Sequence, residues 1–122
     1  LYALVSVETV SEVVVIELAS MTITRRIPVG PGPRGLAVDP EDDTLYVTNF
    51  NRTTLPMIMK SLDLGPNQLT VVDLSSAPLD REEGEFEYSS VEVGYGPCSV
   101  SIIDVAKVKA STTTSGTGAS LA

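Results

Sequence analysis

Leu45-Tyr46-Val47-Thr48-Asn49 reads as a β-strand, with β-branched and aromatic residues between a Pro-containing turn and a polar stretch. In a strand, Leu45, Val47 and Asn49 face one way, and Tyr46 and Thr48 the other. The run is not alone. Leu1-Tyr2-Ala3-Leu4-Val5 carries the same Leu-Tyr pair, and the spacing from 1 to 45 is 44.

Two further matches extend the repeat. Val13-Val14-Val15-Ile16-Glu17-Leu18 returns as Leu69-Thr70-Val71-Val72-Asp73-Leu74, 56 positions on from 13 to 69. Ile27-Pro28-Val29-Gly30-Pro31-Gly32-Pro33 returns as Val91-Glu92-Val93-Gly94-Tyr95-Gly96-Pro97, 64 positions on from 27 to 91. A period near 40–45 residues is a mark of propeller or solenoid architecture. The spacing grows along the chain, which places one insertion within Arg52 to Gln68 and another within Ala77 to Ser90. Insertions in repeat proteins become loops, often on the binding face.

Every matched block has strand composition, so the fold class is all-β. Expected strands cover Leu1–Val7, Glu12–Leu18, Thr24–Val29, Arg34–Asp39, Thr44–Asn49, Gln68–Leu74, Ser90–Gly94 and Ser99–Asp104. Val13 to Ile16 is apolar without alternation, which suits a strand covered on both faces. Asp39-Pro40-Glu41-Asp42-Asp43 predicts a turn, with Pro40 pre-setting φ and Asp39 accepting backbone hydrogen bonds. Gly30, Gly32, Gly94 and Gly96 mark crowded or left-handed backbone positions. Pro33 and Pro97 lack an N–H, so each begins a strand.

The pattern Ile-Pro-Val-Gly-x-Gly-Pro, then Leu-Ala-Val-Asp-Pro, Leu-Tyr-Val-Thr-Asn and Leu-Thr-Val-Val-Asp-Leu, resembles the YVTN family of β-propeller repeats of prokaryotic surface-layer and secreted proteins. The central copy, Ile27 to Leu74, matches throughout; the first is degraded and the last stops after one strand. The resemblance implies blades of four antiparallel strands, innermost first. Residues 1–30 would supply strands two to four of one blade, residues 31–94 a complete blade with two insertions, and residues 95–109 the innermost strand of a next blade. A closed propeller has about four to eight blades. About two are present, an incomplete propeller unless further chain or oligomerisation completes it. The chain, which starts at Leu1, is therefore expected to be a piece of a longer protein or a processed product. Residues 110–122 are a low-complexity tail or linker, without the bulky apolar residues that offset ordering entropy.

The 122 residues carry a net charge of −8. Nucleic-acid binding needs clustered Lys and Arg, so the charge argues against it. No apolar run approaches membrane-spanning length. Glu82, Glu83, Glu85 and Glu87 cluster in the second insertion, read chiefly as a solvated acidic loop and alternatively as a cation or basic-partner surface. Cys98 is the only cysteine, which excludes an internal disulfide; a small buried thiol is expected.

The chain has no histidine, which excludes Ser-His-Asp and Cys-His catalysis within it. No catalytic, cofactor or metal residues are assigned. Calcium at Asp39, Glu41, Asp42 and Asp43 is the weaker reading, because that run lacks ligand spacing and falls where a turn is required. Asn51-Arg52-Thr53 fits the N-glycosylation pattern. Arg25, Arg26 and Arg34 are expected to make ordinary surface pairs with carboxylates, in preference to lining a channel mouth. Gly30-Pro31-Gly32-Pro33 is no phosphate loop, lacking both the spacing and the helix.

With no catalytic constellation, the expected function is a non-enzymatic scaffold whose loops bind protein or ligand. The candidate contacts are Leu55, Met57 and Met59 in the first insertion and Glu82, Glu83 and Glu85 in the second. The resemblance implies an extracellular, periplasmic or cell-surface location. Two alternatives stand beside it. One is a piece of a propeller enzyme of lactonase-like or redox type, using Asp39, Asn49 and Asp104. The other is a structural protein that self-associates through blade faces and edges.

Overall fold

The computed structural model of the chain describes residues 1–50, 67–94 and 96–106. They form an all-β structure of seven strands: β1 (Tyr2–Val7), β2 (Glu12–Glu17), β3 (Thr22–Pro28), β4 (Pro33–Asp39), β5 (Thr44–Asn49), β6 (Asn67–Asp73) and β7 (Glu87–Gly94). A single 3₁₀ turn, Glu8–Val10, joins β1 to β2. The strands make two antiparallel sheets in chain order, β1-β2-β3 and β4-β5-β6-β7. Among the described residues, no helix is long and apolar enough to cross a membrane.

The register follows the repeat. Leu45 pairs with Val38 on one side and Val72 on the other, and Val47 with Leu36 and Thr70. In the smaller sheet Val13 pairs with Ile27 and Val15 with Arg25, ahead of a bulge between Val15 and Ile16. Val13, Val14 and Val15 are all buried, as their unbroken apolar run requires of a strand covered on both faces.

The two sheets share one core. Val13, Val15 and Ile27 from the first meet Leu45, Val47, Val72 and Phe86 from the second. β1 lies beside β4, and Ser6 Oγ donates to the Arg34 carbonyl at 3.0 Å across that junction. Arg34 completes it, with its guanidinium 4.0 Å from the Phe50 ring centre and 3.4 Å from Glu8 Oε1.

The turns behave as their chemistry predicts. Asp39 Oδ1 accepts from the Glu41 N–H at 3.0 Å, and Thr44 Oγ1 donates to the Asp42 carbonyl at 3.0 Å. Gly32 has φ of 65°, and a Cβ there would stand 2.0 Å from the Phe50 carbonyl oxygen. No side chain fits. Pro33 opens β4, where its missing N–H does no harm.

Three expectations are corrected. Ser99–Asp104 joins no sheet ladder. The segment does approach β4, since a Cβ on Gly35 would stand 2.6 Å from Ser99 Cα, but it forms no ladder with that strand's free edge. Cys98 is exposed, its Sγ donating to the Gly96 carbonyl at 3.4 Å, because the unpaired segment does not cover it. β7 begins at Glu87, three positions before the expected Ser90, because its ladder to β6 runs on to Asp73.

Candidate binding cleft

The inner face of the larger sheet changes character from strand to strand. One row runs Leu45, Val72, Tyr88; the next runs Val47, Thr70, Ser90; a third runs Asn49, Gln68, Glu92. At β5 the face is buried, with Leu45 and Val47 in the shared core and Asn49 beside them. At β7 it is polar and exposed. The sheets therefore close tightly at β5 and part toward β7. The opening is a cleft of about 610 Å³, with Arg25, Arg26 and Pro28 of β3 on one wall and Gln68, Tyr88 and Ser90 on the other.

The loop of the second insertion roofs one end. It starts at Asp73, whose Oδ1 accepts from the Ser75 N–H at 2.9 Å, and it then reaches across to β3. Thr24 Oγ1 donates to the Leu79 carbonyl at 2.7 Å. Arg25 is the anchor. Alternation puts it on the same face as Ile27, so its guanidinium enters the interior and is 4% exposed. There it donates to the carbonyls of Arg81 (3.0 Å), Gly84 (2.5 Å) and Glu83, and lies 4.7 Å from the Phe86 ring centre. The expectation of an ordinary surface pair fails at Arg25. Lone charges are rarely buried, but a planar five-donor fork suits a ring of converging carbonyls.

The acidic residues divide. Glu82 bends back over β3: Oε1 accepts from the Arg26 N–H at 2.7 Å, and Oε2 stands 3.6 Å from Arg25 Nε. Glu83 pairs with Arg81 at 2.5 Å. That hydrogen bond, together with the Asp80 and Glu83 charges, raises the Arg81 pKa. Glu85 lines the cleft. Partial burial pushes the Tyr88 hydroxyl above its usual 10.0; nearby Arg25 opposes this and Glu85 adds to it. Loss of solvation disfavours the phenolate, and Glu85 repels it. The expected solvated acidic loop is thus in part a brace. Its signal in the sequence was Arg25 itself, two positions from Ile27 on one strand face.

The other candidates do not converge. Asp39 and Asp104 border a second groove of about 580 Å³ with Ile102 and Val105. Asp39 already accepts the Glu41 N–H, and Asp104 the Ala106 N–H at 3.0 Å. Asn49 is instead in the core, 1% exposed, donating to Thr70 Oγ1 at 2.5 Å. Among the described residues, no three carboxylates or thiols are grouped to hold a metal ion. Asn51, Leu55, Met57 and Met59 lie outside the described residues. Comparison with protein-family models, curated proteins and solved structures gave no match.

Proposed function

We propose that the two sheets are neighbouring blades of a β-propeller of the YVTN-like kind, and that the chain is a non-enzymatic binding scaffold, secreted or displayed at a cell surface. The sequence pattern supports the blade reading, as do two consecutive antiparallel meanders stacked on one core. The observation that carries the scaffold reading is the loop anchored by Arg25, which holds open a cleft with both polar and apolar walls at the outer part of the blades. A rigid sheet pair with a braced loop is a common way to present a binding surface.

The enzymatic alternative has less behind it. Asp39 and Asp104 share a groove, but backbone donors already engage both, and Asn49 is out of reach in the core. Self-association draws support from exposed apolar residues of the unpaired segment, Ile103 at 64% and Val105 at 51%.

Two experiments test these readings. A crystal structure of the chain, with whatever sequence flanks it in its native protein, should place β4 nearest a common axis and β7 farthest. A closed sandwich of the two sheets would sink the blade reading. Incubated with a panel of lactones and redox dyes, the purified chain should give no turnover above buffer. Turnover abolished by Asp39→Asn would replace the scaffold reading with the enzymatic one.

A further inference from the structure

The cleft beside β3 has features that a simple gap between sheets does not need. Arg25 lines it and is 4% exposed, yet its Nε–H has no hydrogen-bond partner, and Glu82 Oε2 at 3.6 Å is beyond hydrogen-bonding distance. An unmet buried donor is costly. Behind Gly30, which also borders the cleft, Asn49 Oδ1 is buried and likewise unpartnered among the described residues. It lies 3.0 Å from where a Cβ on Gly30 would stand. The unmet donor belongs to the cleft wall, whereas Asn49 lies in the core behind it.

The charges on its walls balance, Arg25 and Arg26 against Glu82 and Glu85. Balanced walls favour a neutral occupant. Arg25 needs an acceptor, while the Gln68 amide and Ser90 hydroxyl can each donate and accept, so the walls suit a group that does both, and the hydroxyl is such a group. On the β6–β7 wall, the Gln68 amide and the Ser90 hydroxyl have no hydrogen-bond partner among the described residues, and Tyr88, 45% exposed as a residue, offers its ring. The volume, about 610 Å³, is in the range of small-molecule sites.

We infer that the cleft binds a neutral carbohydrate, a hexose unit of an oligosaccharide. Gln68 and Ser90 hydrogen-bond its hydroxyls, the Tyr88 ring covers the apolar face of the sugar, and Arg25 Nε–H supplies the buried donor. This rests on the reading of the cleft as the binding element of a scaffold.

The test is ligand-observed NMR and calorimetry on the intact chain. The panel is cellobiose, maltose, lactose, mannobiose and xylobiose, with galacturonic acid and glucosamine as charged counterparts. At least one neutral disaccharide should bind. Gln68→Ala should weaken it about fivefold and Tyr88→Ala about tenfold. The Gln68 side chain is exposed, so that variant should keep the parent melting temperature. Tighter binding of a charged sugar overturns the inference, as does neutral-sugar binding that both variants leave unchanged. A chain that binds none of the neutral sugars and turns over no lactone also overturns it, while leaving the scaffold reading in place.

Discussion

β3 and β7 occupy matching places in the repeat and have opposite fates. Ile27-Pro28-Val29-Gly30 and Val91-Glu92-Val93-Gly94 align, and each strand is the last of its sheet. On β3, Arg25 and Ile27 are buried, and Glu82 occupies the outward Arg26 N–H. On β7, all eight residues are exposed. Strand propensity does not explain this, because both segments are β-branched and short. The cover over β3 comes from the loop of the following sheet. No described residues do the same for β7. Protection of an outer strand is thus supplied by the next repeat along, as expected where each unit buries its face against a neighbour.

The largest test removes the anchor of that cover. Arg25→Ala should orphan three loop carbonyls and strip the cation from Phe86. Urea denaturation should show a loss of about 3 kcal/mol. Arg25→Lys should recover only part of it, because a single ammonium cannot meet a fork of carbonyls. A loss below about 1 kcal/mol for Arg25→Ala would mean that the loop stays down without its anchor.

A smaller change should make β3 resemble β7 at one point only. Glu82→Ala uncovers the Arg26 amide and removes the carboxylate 3.6 Å from Arg25 Nε, while leaving the apolar core in place. Stability should fall by about 0.5–1 kcal/mol, and hydrogen exchange at the Arg26 amide should accelerate while that at Val14 stays slow. Equal acceleration at both sites would show that the carboxylate supports the whole sheet and not its edge alone.

The contrast between the two strands was only half legible in the sequence. The repeat places both strands, and the unbroken Val13-Val14-Val15 run announces a strand covered on both faces. Parity with Ile27 already pointed Arg25 inward. What parity could not supply was a partner: the receiving carbonyls lie 56 to 59 positions away, in an insertion that breaks the period. Without them, a buried arginine is the less natural reading. Cys98 and Ser99–Asp104 failed for the related reason that a strand is made by its neighbour as much as by its composition. The cleft was least legible, because it arises from the angle between two sheets.

On β7 itself, substitution should hardly register. Val91 is 54% exposed and Val91→Thr keeps β-branching, so stability should stay within about 0.5 kcal/mol of the parent. Solubility at high concentration should rise, since an exposed valine on an unpaired edge strand invites pairing. A loss several times larger would reveal that β7 is covered in solution, and the contrast with β3 would collapse.

The finest probe is titration at the one place where β7 meets the cover of β3. Tyr88 keeps its proton more tightly in the folded chain than its usual 10.0, chiefly through partial burial, with Glu85 adding to it. The unfolded chain therefore binds fewer protons once pH passes 10, so stability must fall as pH rises from there. Below pH 10 the hydroxyl is protonated in both states, and this contribution is flat. Urea midpoints measured from about pH 9 to about pH 11 should decline more steeply in the parent than in Tyr88→Phe, which has no proton to lose. Arg25→Ala should steepen the decline further, because Arg25 is the charge that lowers the Tyr88 pKa. Identical slopes in parent and Tyr88→Phe would place Tyr88 in open solvent, and the cleft would then lack its aromatic wall.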